Sequence, residues 1–439
     1  MDRTRGYASS DGAEIAFHVT GSGPNLVTCL PYGYPAELVW DFPPAARYFT
    51  RLASFARLVL FDQRGTGASA RDADAPNLEA QGRDILAVMD AAGCERATVW
   101  GSSQTGPGAI AFAHAHPERV ERLVLWATTA RLLPDSDYPE GYSRELGRRI
   151  MDQLVAHWGS GAMADLGHPS AANDAQARDW LARMERATGT PSTAAAIGAA
   201  FGRSDVRSQA RELSMPVLVL HRTGDPIVPV AQGRWLADHI PNSRWFEAAG
   251  TDHAIIFGDW GPPVDEIEEF LTGARVARGR ERILTTLLFT DIADSTARAA
   301  QLGDHSWRDL LARHDMVVRR NIAAHGGDEL ATTGDGFLAS FAVPSAALAA
   351  ARAIARALEP LGLTIRAGAH LTECEIAGAN VAGLGVHAAA RVAAAARAGE
   401  ILASETVVQA LLGGDAHFED AGEHELKGVP GTWRLYRLS

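Results

Sequence analysis

Two aspartates each close a short apolar run in the last third of the chain. Asp291 ends Leu287-Leu288-Phe289-Thr290-Asp291-Ile292, and Asp335 sits in Thr333-Gly334-Asp335-Gly336-Phe337. Two carboxylates at strand ends or in a tight turn, among oxygen-only neighbours, suit a hard divalent cation such as Mg²⁺. A pair of such ions clamps a triphosphate and activates a hydroxyl for in-line attack. An Asp-Gly pair alone also favours a hairpin tip, so Asp335 gains its weight from Asp291. Downstream, His387-Ala388-Ala389-Ala390-Arg391 sets a cation one helical turn beyond a polar group.

A second constellation lies in the first half. Gly101-Ser102-Ser103-Gln104-Thr105-Gly106 follows an apolar run and precedes an Ala-rich stretch, the strand, turn and helix that expose a nucleophilic serine. The residue two before such a nucleophile must be tiny, because the chain turns back there. Ser103 has Gly101 at that position, whereas Ser102 has Trp100. Ser103 is therefore the candidate nucleophile. His253, in Gly250-Thr251-Asp252-His253, is the candidate base, and Asp225, in His221-Arg222-Thr223-Gly224-Asp225, the acid that orients it. Asp252 is the alternative acid, but adjacent side chains usually point apart.

The elements that must position these groups follow from hydrophobic rhythm. From Glu14 to about Leu271, short apolar runs alternate with helix-like segments, as in an α/β sheet covered on both faces. Strands are predicted at 25–30, 57–61, 97–100, 122–126, 216–221 and 243–247. Residues 272–283 carry glycines and charges without periodicity and read as a short linker. Beyond the Asp291 strand, the spacing predicts helices over 306–324, 346–358 and 385–398. It also predicts a hairpin, 329–333 and 337–341, with Gly334-Asp335-Gly336 at its tip, and a strand over 364–371.

The bulk numbers bound the answer. A chain of 439 residues exceeds one ordinary core, so two domains are expected. A formal charge of −12 argues against nucleic-acid or anionic-membrane binding. Three widely spaced cysteines offer neither a disulfide framework nor a zinc site and fit a cytoplasmic protein. No run of roughly 18 apolar residues suggests a membrane span.

The order Ser103, Asp225, His253 resembles that of α/β-hydrolases. So do Phe61-Asp62-Gln63-Arg64-Gly65-Thr66-Gly67-Ala68-Ser69 and His116-Pro117-Glu118-Arg119-Val120. The resemblance implies a mostly parallel sheet over 1–271 with a helical cap at about 130–213. It implies oxyanion donors at the backbone N–H groups of Gln104 and Tyr34. Thr105 replaces the second glycine of G-x-S-x-G, and the loop Pro31-Tyr32-Gly33-Tyr34 lacks the usual His-Gly pair. An active esterase of small ester-like ligands and a ligand-sensing scaffold both stay open.

Residues 284–439 resemble the catalytic domain of class III nucleotidyl cyclases. The resemblance is carried by the aspartate motifs, Asp294-Ser295-Thr296, Gly399-Glu400-Ile401-Leu402 and Glu425-Leu426-Lys427-Gly428-Val429-Pro430. It implies an α+β, ferredoxin-like fold and a head-to-tail homodimer. It further implies two Mg²⁺ or Mn²⁺ ions per site on Asp291, Asp335 and the Ile292 carbonyl. By the same resemblance, Arg391 stabilises charge on the α-phosphate, Lys427 contacts the terminal phosphates, and His387 takes the ribose-contacting position. At the base-reading positions stand Ala331, where adenylyl cyclases carry Lys, and Asn380, where they carry Asp. Losing a charge-assisted contact there costs ~1.5–3 kcal/mol of binding, so relaxed base selection is expected. As a whole the chain is similar to actinobacterial hydrolase–cyclase fusions. The expectation is a metal-dependent cyclase, with ATP as substrate, regulated by a hydrolase-like domain with its own small-molecule ligand. The alternatives are a serine esterase with a nucleotide-binding regulator and a non-catalytic sensor.

Overall fold

The computed structural model describes residues 3–71, 77–274, 282–332, 334–377, 380–382 and 384–439. Of residues 282, 296, 304, 375–377 and 380–382 it describes the backbone alone. The chain forms two compact units, Met1–Ala277 and Arg278–Ser439. Most of the expected linker lies outside the described residues.

The first unit is built on strands β1 (Thr4–Ser10), β2 (Ala13–Thr20), β3 (Asn25–Cys29), β4 (Arg57–Phe61), β5 (Ala97–Ser102), β6 (Val120–Trp126), β7 (Val217–Arg222) and β8 (Ser243–Ala248). Their order in the sheet is β1-β2-β4-β3-β5-β6-β7-β8. From β3 to β8 the pairings are parallel, and all six strands predicted from apolar runs are present. The antiparallel β1–β2 hairpin was not anticipated. Its turn, Asp11-Gly12, has φ of 51° and 79°, the paired left-handed geometry for which Asp-Gly is favoured.

Alternation along the parallel strands feeds two cores. Leu26, Leu58, Trp100 and Leu218 face α1 (Pro43–Ala53) and, near the C-terminal end of the unit, the helix 261–272. Val27, Val59, Val99 and Val217 face α2 (Leu78–Ala91) and α3 (Gly106–Ala115). Both faces are therefore apolar, and each fully buried Val or Leu contributes roughly 1.5–3 kcal/mol. Between β6 and β7 the chain leaves the sheet for five helices: α4 (Arg144–Ala156), α5 (Ala162–Gly167), α6 (Ala175–Thr188), α7 (Pro191–Arg203) and α8 (Arg207–Arg211). Starts are marked locally. Ser143, Asp174 and Thr190 each cap a first turn through the side chain. The sheet then resumes, with α9 (Val230–His239) and α10 (Gly261–Thr272) flanking β8.

The second unit has strands β9 (Arg282–Ile292), β10 (Gly327–Thr332), β11 (Gly336–Phe341), β12 (Ile365–Ala377), β13 (Asn380–Ala382), β14 (Ile401–Ser404), β15 (Phe418–Glu425) and β16 (Thr432–Leu438). They are ordered β10-β11-β9-β12-β14-β16-β15, with β13 hairpinned onto β12. Helices α11 (Ser295–Ala324) and α12 (Pro344–Leu358) pack Val318, Ile322, Ala351 and Ile354 on one face. On the other, α13 (Leu384–Ala395) packs Ala388 and Val392. That helix crosses β12 so closely that a Cβ on Gly368 would lie 2.2 Å from the Ala393 nitrogen. Last comes α14 (Glu405–Ala410). The helix expected over 306–324 begins earlier, at Ser295, because two helical segments join at Gly303 (φ 74°, ψ 159°), a backbone only glycine adopts readily.

Candidate active sites

At the end of β5 the chain turns at Ser103, whose φ of 50° is left-handed and strained for a non-glycine residue. A Cβ on Gly101 would lie 2.7 Å from Ala109 Cβ and from Gly106 Cα, which is the steric demand that singled out Ser103. Thr105 fits without a glycine because its hydroxyl folds back. It donates to the Ser102 carbonyl (2.8 Å) and accepts from the Ser102 amide (3.0 Å). The close approach moves one residue on, to Gly106, where a Cβ would meet Thr128 Oγ1 at 2.0 Å.

The structure brings Ser103, His253 and Asp225 together. Ser103 Oγ lies 2.8 Å from His253 Nε2, and His253 Nδ1 lies 2.8 Å from Asp225 Oδ2 and 3.0 Å from Oδ1. With the carboxylate accepting from Nδ1–H, Nε2 is left to accept from the serine. Asp225 also accepts from the amides of Ile227 (2.8 Å) and Val228 (3.0 Å). Burial pushes this carboxyl up, but His253 and His221 outweigh it and hold it below the usual carboxylate range. Asp252, the alternative acid, faces elsewhere. It accepts from the Ser170 amide at 3.0 Å and lies 3.9 Å from Arg222.

Of the two expected oxyanion donors, Gln104 stands at the head of the short turn Ser103–Thr105, where the first amides have no intrahelical acceptor. The Tyr34 amide instead donates to the Pro31 carbonyl at 3.1 Å and closes its own turn. The amides of Tyr32 and Gly33, in the same turn, make no backbone hydrogen bond to a described residue. Asp62 secures this loop. It accepts from the amides of Ala36 (2.7 Å) and Ala68 (2.8 Å), and burial pushes its carboxyl up to about 6.

A cavity of about 170 Å³ opens onto Ser103 and His253. The cap supplies Met151, Leu154, Ile197 and Phe201 to its wall, and no Lys, Arg, Asp or Glu is among the described residues that line it.

In the second unit, register brings the two aspartates to neighbouring positions: Asp291 on β9 pairs with Gly336 on β11, and Asp335 is the next residue. On its other side Asp291 pairs with Arg366 on β12, and the Arg366 Nε reaches Asp291 Oδ2 at 2.9 Å. Ile292 is buried beside them. His387, Arg391 and Lys427 are exposed, as is Ala331 on β10. No hydrogen bond or ion pair to a described residue joins any of these four to the aspartates. The Asn380 side chain lies outside the described residues.

A family model described as the alpha/beta hydrolase fold matches residues 30–259, more than half of the chain. The chain belongs to the α/β-hydrolase family. Residues 281–439 match the model of the adenylate and guanylate cyclase catalytic domain, so this hydrolase-family chain also carries a class III cyclase domain. The fold class expected from the sequence is the one found. Its hydrolase region is 31% identical over 238 residues to a pimeloyl-[acyl-carrier protein] methyl ester esterase of Nitrosomonas europaea, covering 53% of this chain and 89% of the relative. It is 29% identical over 228 residues to a 2-hydroxymuconate semialdehyde hydrolase of Pseudomonas putida, covering 48% and 78%. The crystal structure of a hydrolase from Pseudomonas aeruginosa aligns with a TM-score of 0.51 at 25% identity, over 62% of this chain and 99% of that one.

Several groups around the hydrolase-fold site carry no sequence signal. Arg222, wholly buried, donates to the carbonyls of Asp252 (2.8 Å), Ala254 (3.2 Å) and Ile255 (3.3 Å) and so wraps the loop that presents His253. Trp126 Nε1 donates to the His253 carbonyl at 2.8 Å, and the His253 amide donates to the Gly167 carbonyl of the cap at 2.8 Å. The base is held by its backbone on both sides. Among the described residues no helix is long and apolar enough to cross a membrane.

Proposed function

We propose that this chain couples two enzymatic sites. One is a serine hydrolase acting on a small, neutral, largely apolar ester; the other is a metal-dependent nucleotidyl cyclase that converts ATP to 3′,5′-cyclic AMP and pyrophosphate. The hydrolase reading is carried by one observation: Ser103, His253 and Asp225 form an unbroken chain of 2.8 Å contacts at the edge of an apolar cavity. In this mechanism His253 Nε2 takes the hydroxyl proton as Ser103 Oγ attacks the ester carbonyl carbon. The amides of Gln104 and of the Tyr32–Tyr34 turn receive the developing oxyanion. The ester C–O bond breaks, the alcohol leaves with the proton from His253, and water releases the acid by the same steps. The ester esterase and the semialdehyde hydrolase to which this region is similar support carbonyl chemistry of this kind.

For the cyclase, the supporting observation is the juxtaposition of Asp291 and Asp335 by the β9–β11 register. Their donor set is entirely hard oxygen, which fits Mg²⁺ or Mn²⁺ better than a softer ion. Asp291, Asp335 and the Ile292 carbonyl would hold the ions. When bound, they supply charge neutralisation of the triphosphate and a lowered pKa for the ribose 3′-hydroxyl. The 3′-hydroxyl gives up its proton to water as its oxygen attacks the α-phosphorus, the bond to the bridging oxygen of the β-phosphate breaks, and pyrophosphate leaves. Arg391 and Lys427 would steady the charge on phosphate oxygens. Their exposure, with His387, supports a site completed by a second copy of this domain. Ala331 offers no hydrogen bond to a base edge, so GTP is expected to compete with ATP.

A second reading, an esterase with a nucleotide-binding regulator, is favoured by one contrast: the triad is assembled, whereas Asp291 is already paired with Arg366. One experiment separates the two. Purified full-length protein with Mn²⁺ is offered ATP, GTP, CTP and UTP separately, and cyclic products are measured beside p-nitrophenyl butyrate hydrolysis. Cyclic AMP lost in Arg391→Ala supports the cyclase. Ester hydrolysis lost in Ser103→Ala, with no cyclic product from any nucleotide, overturns it in favour of the second reading.

A further inference from the structure

Two loops flank Ser103: Pro31–Tyr34, assigned above to the oxyanion, and the loop that carries His253. A short piece of the cap, residues 167–170, touches both. The Gly167 carbonyl accepts from the His253 amide at 2.8 Å, and the Ser170 amide donates to Asp252 Oδ1 at 3.0 Å. Between them lies His168, fully buried. Its Nε2 is 2.7 Å from the Tyr34 hydroxyl, and its Nδ1 makes a long contact, 3.5 Å, with the Ala254 amide. Its ring stacks on Phe257 with centroids 4.6 Å apart. The Tyr34 hydroxyl donates to Nε2 or accepts from it according to the tautomer, and either way the ring bridges the two loops. Burial first, then the neighbouring His253, lowers this imidazole to about 3. It is a neutral bridge at any working pH. Packing alone does not account for it: an aromatic hydrocarbon would stack on Phe257 without the cost of burying two ring nitrogens.

We propose that His168 is a positioning residue for ester hydrolysis, fixing from the cap the Tyr34 loop and the His253 loop relative to each other. The nucleophile, its base and the oxyanion amides are then aligned only while segment 167–170 is docked. The inference rests on the hydrolase reading above. Misplacement of reacting groups by about 1 Å costs on the order of a hundredfold in rate, so loosening one of several restraints should cost about tenfold.

The test uses the full-length chain with p-nitrophenyl butyrate as substrate and a fluorophosphonate probe of Ser103. His168→Phe keeps the stack and removes both polar contacts. The expected result is a kcat about tenfold lower with KM within about twofold, and labelling slowed by the same factor. His168→Gln, whose amide can donate to the Tyr34 hydroxyl or accept from it, should regain most of the rate. A His168→Phe variant with kcat within about twofold of wild type overturns the inference, as does an equal loss in both variants. Should His168→Phe not fold, Tyr34→Phe removes only the hydroxyl end of the bridge. A lower kcat there supports the inference, and an unchanged one overturns it. Failure of the probe to label Ser103 in the wild-type protein overturns the hydrolase reading itself, whereas normal labelling with an indifferent His168 overturns only this inference.

Discussion

Arg366 and Asp291 are register partners across β9 and β12, and both guanidinium nitrogens that reach the carboxylate take the same oxygen, Oδ2. The other oxygen stays outside that pair. A cation that takes Asp291 as ligand therefore meets a carboxylate whose charge is already partly neutralised. The pair is about one-third exposed, with side chains 40% and 29% accessible, so its strength is that of a surface ion pair, ~0.2–1 kcal/mol. Arg366→Gln should tighten Mn²⁺ binding without nucleotide by about two- to fivefold, as measured by the free-ion signal in electron paramagnetic resonance. Equal or weaker affinity in the variant would mean that the guanidinium does not compete with the ion.

Asp335 stands on the opposite flank of Asp291, and among the described residues no Lys or Arg forms an ion pair with it. If the two carboxylates share the ions, Asp335→Ala removes half of the side-chain ligands. Cyclic nucleotide formation should fall by at least about a hundredfold, since metal stabilisation of the transition state is worth several kcal/mol. Mn²⁺ binding should weaken in parallel, while ester hydrolysis in the other unit stays within twofold. Retained cyclisation in this variant would show that the metal assignment is wrong.

The triad makes a sharper demand. Asp225 holds His253 with Nδ1 protonated, and Asn at 225 can present an amide N–H to that nitrogen, which forces the opposite tautomer. The proton then sits on Nε2, facing Ser103, and the base is lost. Asp225→Asn should lower kcat for p-nitrophenyl butyrate by about 10³–10⁴-fold, the loss known for this change in serine proteases, with thermal stability little altered. A loss under tenfold would point to another acid. Asp252 would not be the candidate, since Ser170 and Arg222 occupy its surroundings.

Much of this was legible in the sequence, for reasons that can be named. Ser103 was found because a steric rule about the residue two before it needs only local sequence, and the structure puts Gly101 against Ala109 as that rule requires. Asp291 and Asp335 stand out as candidates because strand ends and Asp-Gly turns leave short-range marks. The Asp11-Gly12 turn carries the same kind of mark. What could not be read depends on turns closing or on distant chain segments meeting. Tyr34 is the expected oxyanion donor, but that its amide also closes a turn onto Pro31 depends on how that loop folds. Arg222 reads as part of the acid's loop until its contacts around residue 253, some 30 positions on, are seen. His168 meets Tyr34 across 134 residues of sequence, and Arg366 meets Asp291 across 75. Neither pairing has a periodicity that could betray it.

His370, on β12, gives a test of stability against pH. It is 4% exposed, its Nδ1 lies 2.8 Å from Ser404 Oγ, and burial lowers its pKa from 6.5 to about 4. As pH falls through 6.5 the unfolded chain takes up a proton that the folded chain refuses until about 4. In that window the unfolded state binds more protons, so acid lowers stability, by about 1.4 kcal/mol per pH unit for one such group. The effect is absent above pH 7 and complete near pH 4. Between pH 7.0 and 5.0, the second unit of the wild-type chain should lose about 2 kcal/mol more than that of His370→Asn, which cannot titrate. Urea unfolding of residues 282–439, followed in the full-length protein by pulse proteolysis, measures the difference. Parallel losses in the two proteins would mean that His370 is protonated as readily in the folded chain as in the unfolded one.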